Sequence, residues 1–223
     1  MTKRLFFEAI AKFFAGLVMV SALLFLPAGT VDYPGGWLLI AILFIPMFLA
    51  GLVMMAVNPS LLRSRLNAKE KEREQDQVVK LSGLMFLCGF ILAGLDFRFG
   101  WSDLPFAVNC VGAALFLLAY VLYAEVLREN TWLSRTIEVQ DGQTVVSTGL
   151  YGIVRHPMYA VTLLLFLSMP FVLGSLLSFL CFLPYPFLIA KRLLDEEAFL
   201  EKELTGYSEY KQKVKYRLIP GIW

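Results

Sequence analysis

The chain holds one histidine, His156, in the run Leu-Tyr-Gly-Ile-Val-Arg-His-Pro-Met-Tyr-Ala over residues 150–160. A residue that precedes proline is pushed out of the helical region, so His156 is expected to be extended, with Pro157 as the first residue of a helix. Such a helix start offers unpaired amides and a positive dipole end, suited to a negatively charged ligand group. A second polar cluster, Lys191-Arg192-Leu193-Leu194-Asp195-Glu196-Glu197, reads as helix. There Arg192 and Glu196, four residues apart, share a face, and Glu197 lies one position further on. Taken singly, these charges fit surface ion pairs worth about 0–1 kcal/mol each. Both clusters, however, flank one short apolar hairpin and so meet at its mouth. Charges at the mouth of an apolar bundle are candidates for function.

The elements that must carry these residues are membrane helices. The chain has 223 residues, 58% of them hydrophobic, and a mean hydropathy of +0.68, too apolar for a typical soluble domain. Six apolar runs, roughly 5–27, 36–57, 80–98, 104–128, 157–173 and 175–192, read as helices that cross a bilayer. The last two are short and form a tight hairpin about Gly174. Alternating ten-residue segments of a barrel are not apparent, so the expected fold is an all-α polytopic bundle. With the N-terminus in the cytoplasm, nineteen of the 20 Lys and Arg residues fall inside and only Arg98 outside. The positive-inside rule therefore favours that orientation and an even number of spans. Glu8 and Lys12 interrupt the first run, which is too long for a secretory leader and reads as a retained anchor with two snorkelling side chains.

Two cytoplasmic elaborations divide the chain into spans 1–4 over residues 1–129 and a functional region over 130–223. The segment 58–80 mixes both charge signs at helical spacing, for example Lys69 and Arg73 against Glu70 and Glu74, and reads as a solvated helix at the headgroups. In the second elaboration, Arg128 to Arg155, Ile137 and Val139 alternate with polar residues, Asp141-Gly142 suits a turn, and Val145-Val146 suit a return, so a short β-hairpin is expected. After the last span the helix continues through Leu204, breaks at Thr205-Gly206, and gives way to an aromatic, basic tail. Cys88, Cys110 and Cys181 are far apart and read as free thiols. One histidine supplies no zinc-ligand spacing, so no metal is expected. Neither the charge pattern nor any motif suggests nucleic acid as a partner.

Ser-Thr-Gly-Leu-Tyr-Gly-Ile-Val-Arg-His-Pro-Met-Tyr over 147–159, followed across a hairpin by 192–223, resembles the isoprenylcysteine carboxyl methyltransferase family, in a prokaryotic form. That family is similar to phospholipid methyltransferases and to the C-terminal parts of some sterol reductases. The resemblance covers about residues 130–223. It implies an integral membrane transferase that uses S-adenosylmethionine from the cytosol and a lipophilic acceptor from the bilayer, in a bacterial inner membrane. Its cofactor pattern falls on Gly149, Tyr151, Arg155, His156, Pro157 and Tyr159, and its Tyr-x-x-Tyr tail on Tyr207 and Tyr210. Its arginine-and-glutamate element falls on Arg192, Glu196 and Glu197, which take the catalytic roles. Leu150 stands where proline is common and Val161 where glycine often follows the second tyrosine. Carboxylate, amine and thiol acceptors are all compatible with these residue types. An NADPH-dependent reductase and a non-enzymatic membrane protein are the competing classes. Gly112, Ala113 and Ala114 permit close helix contact within one chain or between two, which leaves the oligomeric state open.

Overall fold

The computed structural model describes residues 3–66, 73–134 and 137–223. Its helices are α1 (Lys3–Ala28), α2 (Pro34–Val57), α3 (Pro59–Leu66), α4 (Arg73–Phe99), α5 (Phe106–Glu129), α6 (Pro157–Leu173), α7 (Leu176–Phe182), α8 (Tyr185–Glu203) and α9 (Tyr207–Lys213), with a 3₁₀ turn at Gly149–Gly152. Among the described residues five helical stretches are long and apolar enough to cross a membrane: Leu5–Ala28, Pro34–Val57, Gln77–Phe99, Phe106–Glu129 and Leu176–Glu203. The sixth apolar run, α6, is a helix of 17 residues, about 26 Å long at 1.5 Å per residue. That falls short of the roughly 30 Å of a bilayer core.

The second arm of the hairpin runs on beyond 192 to Glu203, within one residue of the expected helix end, and differs from the expectation in breaking between α7 and α8 at Leu183-Pro184. Pro184 has no N–H to donate and its ring crowds the carbonyl four residues back, which interrupts the helical hydrogen bonds at this point. The turn between the arms rests on Gly174, whose φ of +71° closes α6 in the left-handed region. Polar groups lock this turn. Asn109 Nδ2 donates to the Val172 carbonyl at 2.9 Å and Tyr33 Oη to the Leu173 carbonyl at 2.8 Å, which satisfies the open end of α6. Buried Asp96 accepts from Ser102 N at 2.6 Å, from Ser102 Oγ at 2.7 Å and from Ser175 Oγ. Ser175 Oγ in turn accepts from Ser178 N at 3.0 Å and caps α7.

Helix α6 lies against α5, with Phe116, Ala119, Val126 and Val172 fully buried between the spans. Gly112 permits this approach within one chain, since a Cβ there would sit 2.7 Å from the Val172 amide nitrogen. The Glu8–Lys12 pair forms at 2.7 Å, and Lys12 Nζ also donates to the Leu66 carbonyl at 2.9 Å, tying α3 to α1. Segment 58–66 is less solvated than expected. Asn58 Oδ1 accepts from Leu61 N at 3.1 Å, and Leu61 and Leu62 are buried. Lys69 and Glu70, half of the charge pattern expected there, lie outside the described residues, as does Arg135. All three cysteines are free, though Cys110 is exposed on α5.

The expected β-hairpin over 137–146 is corrected by the structure. The turn forms at Asp141-Gly142, with Gln143 N donating to the Gln140 carbonyl at 3.0 Å, but no strand forms among the described residues. Local polar groups occupy the backbone instead. Ser134 Oγ donates to Glu138 at 3.0 Å, Gln140 Nε2 to the Trp132 carbonyl at 2.7 Å, and Gln140 N to Gln143 Oε1 at 2.9 Å. Such bonds compete with a cross-strand ladder. Val139 and Val145 pack on Leu204, Tyr207 and Tyr210, so the loop covers α9 as an irregular flap.

Candidate functional site

His156 has φ −125° and Pro157 opens α6, as an X-Pro step requires. The extended backbone here pairs with the tail: Arg155 N donates to the Tyr216 carbonyl and His156 N to the Arg217 carbonyl, both at 2.9 Å. That pairing brings the tail against α8 and forms a buried ionic knot. Glu197 Oε1 accepts from Arg155 Nε at 2.6 Å and lies 3.2 Å from His156 Nε2, while Glu197 Oε2 accepts from Arg217 Nε at 2.9 Å. Arg155 Nη1 donates to the carbonyls of Val214 at 2.7 Å and Lys215 at 2.8 Å. Arg155, His156 and Glu197 are each at most 5% exposed. Buried charge survives only when paired and hydrogen-bonded, and here the carboxylate meets two guanidiniums and an imidazole. Arg217 also stacks on the Trp223 ring, 5.3 Å from its centroid.

One helical step away, the neighbouring carboxylate faces a different setting. Glu196 accepts from the Tyr159 hydroxyl, which accepts from Arg192 Nε at 3.2 Å. Tyr159, Arg192 and Glu196 line a cavity of about 860 Å³ including its open mouth. Tyr151, Arg155, His156, Tyr207 and Tyr210 also line it, as do Trp132 and, from the flap, Glu138 and Val145. Tyr210 Oη donates to the Tyr151 carbonyl at 2.7 Å, and Tyr207 Oη lies 3.5 Å from His156 Nε2. Burial raises the Tyr151, Tyr207 and Tyr210 hydroxyls well above the ordinary phenol range, and the Glu197 and Glu196 carboxylates add to this at Tyr207. All three remain neutral donors at physiological pH.

The two sequence clusters thus meet in one place. Eight of the named residues line the cavity: Tyr151, Arg155, His156, Tyr159, Arg192, Glu196, Tyr207 and Tyr210. Glu197 sits behind this wall in the knot, and Pro157 is buried at the helix start. Gly149 has φ +52°, and a Cβ there would fall 2.6 Å from the Glu129 carboxylate, which also accepts from Thr148 Oγ1 at 2.6 Å. Its need is steric, and it stands outside the cavity lining. Sequence reading missed Arg217, because nothing in residue spacing pairs it with Glu197 across the break at Gly206. It also missed Arg65 of α3, whose guanidinium donates to the Tyr123 hydroxyl and lies 3.4 Å from the Ser134 carbonyl.

Residues 108–205 match the model of the phospholipid methyltransferase family, which supports a relationship to membrane methyltransferases. The matched region runs from α5 to the end of α8 and contains the Arg155–Glu197 pair and the Tyr159–Glu196–Arg192 group, but not α9 or the tail. The chain is also similar to the Delta(14)-sterol reductase of Mus musculus, at 34% identity over 91 residues, covering 40% of this chain and 22% of that protein. A probable 7-dehydrocholesterol reductase of Acanthamoeba polyphaga mimivirus is 26% identical over 157 residues, covering 63% of this chain and 34% of that protein. The chain therefore spans between a fifth and about a third of the length of these curated relatives.

Proposed function

We propose that the protein is an integral membrane methyltransferase that takes S-adenosylmethionine in the cavity at the mouth of the α6–α8 hairpin and methylates a lipophilic acceptor. The observation that carries this reading is the convergence on one cavity of four tyrosines, two carboxylates (Glu138 and Glu196) and the Arg155–His156 corner. A sulfonium is held by carboxylates and aromatic faces, and Tyr151, Tyr159, Tyr207 and Glu196 offer both. His156 and the start of α6 offer a positive corner for a carboxylate. When bound, S-adenosylmethionine supplies a methyl group on positively charged sulfur.

The residues divide the remaining work. Glu197 positions: its oxygens are taken up by Arg155, His156 and Arg217, so it fixes the cofactor wall. Glu196, hydrogen-bonded to Tyr159, is placed to take a proton from an amine or thiol acceptor. Arg192 is placed to orient a carboxylate acceptor. Positioning and exclusion of water by the flap do the rest. The acceptor class extends from an isoprenylcysteine-type carboxylate to a phospholipid amine or a thiol. With both termini cytoplasmic, as the charge pattern favours, the mouth opens on the cytosolic side of a bacterial inner membrane. Titration of S-adenosylhomocysteine into the purified full chain by calorimetry tests the reading. Saturable binding is expected, and its absence overturns it.

A second reading, NADPH-dependent reduction, is favoured by the similarity to the two sterol reductases. A 2′-phosphate calls for basic side chains beside the adenosine. Of the cavity's two arginines, Arg155 is already engaged by Glu197 and two carbonyls. Comparing the melting shifts given by NADPH and S-adenosylmethionine distinguishes the two, and a shift with NADPH alone selects the reductase.

A further inference from the structure

Arg65 belongs to α3, far upstream of the region that matches a family. Its side chain crosses to α5 and α6, where Nη2 donates to the Tyr123 hydroxyl, Nη1 lies 3.4 Å from the Ser134 carbonyl, and Nη1 lies 4.0 Å from Met158 Sδ. The guanidinium also rests over the Tyr123 ring, 5.6 Å from its centroid. Ser134 and Met158 both line the cavity, so Arg65 stands directly behind the wall that adjoins Tyr159, on the side of the membrane spans. It is held there firmly. Buried Leu61 and Leu62 anchor α3 from within, and the Lys12 bond to the Leu66 carbonyl fixes its end.

The level of this charge matters. Helix α3 begins two residues after the apolar span α2 ends at Val57, and Tyr123 lies within two turns of the end of α5. Arg65 therefore stands where hydrocarbon gives way to headgroups, at the same end of the bundle as His156. The contacts described for it are all with neutral groups: a phenol, a carbonyl and a thioether. A guanidinium at the edge of a low-dielectric region gains most from a planar anion that it can grip with two N–H groups. The tail of an amphiphile can remain in the bilayer while its headgroup reaches this point.

We propose that Arg65 is an acceptor-recognition residue, which binds the anionic group, phosphodiester or carboxylate, of an amphiphile whose reacting atom enters the cavity beside Tyr159 and Glu196. This rests on the methyltransferase reading and adds to it a specificity determinant outside residues 108–205. The substrate's anion then sits toward α3 and its reacting atom toward α8.

The test uses the full chain in detergent, with melting temperature as the readout and dilauroyl phosphatidylglycerol, laurate and uncharged dilauroylglycerol as probes. An anionic probe is expected to raise the melting temperature of the wild type and, by a smaller amount, of Arg65→Lys, whose ammonium keeps the charge without the planar fork, and the uncharged one not to. A shift with phosphatidylglycerol alone assigns a phosphate, and one with laurate alone a carboxylate. Arg65→Gln is expected to lose the shift, while Arg63→Gln, which removes an exposed charge from the same helix, keeps it. A full shift in Arg65→Gln, or none in the wild type, overturns the proposal. Binding of S-adenosylhomocysteine is measured on each variant in parallel. Its absence from the wild type breaks the methyltransferase reading, whereas intact binding with an undiminished lipid shift in Arg65→Gln breaks this inference alone. Should Arg65→Gln not fold, photolabelling of the wild type by a phosphatidylglycerol with a diazirine beside its headgroup decides. Label on the peptides of Tyr123 or Met158 is expected, and label only elsewhere contradicts it.

Discussion

Glu196 and Glu197 are neighbours in sequence on one helix, and the structure gives them opposite circumstances. Glu197 is 3% exposed and bonded to Arg155, His156 and Arg217 within a knot that joins α6, α8 and the tail. Glu196 lines the cavity and meets the Tyr159 hydroxyl. A turn of about 100° per residue is enough to send one carboxylate into the scaffold and leave the other to face a ligand. Acidic residues at a candidate site thus need to be separated by what surrounds them. A carboxylate saturated with donors has little capacity left for a substrate, whereas one that meets a neutral hydroxyl at a cavity wall retains it.

The largest effect that sharpens this contrast is expected from Glu197→Ala. It leaves Arg155 and Arg217 facing each other without their counter-ion and should cost about 3–5 kcal/mol of stability. Chemical denaturation in detergent checks this, and binding of S-adenosylhomocysteine should fall with it. Arg217→Ala is intermediate. It removes one charge-assisted bond and the stacking on Trp223, a loss of about 1.5–3 kcal/mol, with Arg155 and His156 still holding Glu197. Equal losses for the two variants would show that the knot depends on the tail alone.

The smallest effect concerns pH. Burial raises the Tyr207 hydroxyl above its ordinary value of 10.0, so the folded chain keeps a proton that the unfolded chain releases. Stability from this source is fully present below pH 10.0 and declines as pH rises beyond it. Tyr207→Phe should flatten that decline, as read from melting temperatures across the alkaline range.

Much of this arrangement was legible in the sequence, and the exceptions have physical causes. The apolar runs all became helix, five of the described stretches being long enough to cross a membrane, because backbone groups in lipid leave few alternatives to helix. The Arg155-His156-Pro157 step and the Arg192–Glu197 segment were found because both flank one hairpin, and they do meet. The division between Glu196 and Glu197 was not legible, since it depends on where Arg217 lands after the turn at Gly206. The flap over 137–146 has the alternation of a hairpin, yet Glu138 bonds to Ser134 and Gln140 to Trp132 and Gln143, and the ladder does not form. The continuation of the last helix beyond Arg192 was legible, whereas the break at Leu183-Pro184 was not, because Pro27, Pro46 and Pro170 stand inside unbroken helices of the same chain. Arg65 was hidden because its partners lie on α5, α6 and the intervening loop.

The central claim is that Glu196 works in the cavity while Glu197 only holds it. The most direct measurement is transfer of radiolabelled methyl from S-adenosylmethionine into a lipid extract by the wild type and by Glu196→Gln, with melting temperature recorded for both. Unchanged melting with transfer reduced about 100-fold or more is the result expected for a proton-accepting carboxylate. Full transfer by Glu196→Gln at unchanged melting would contradict it.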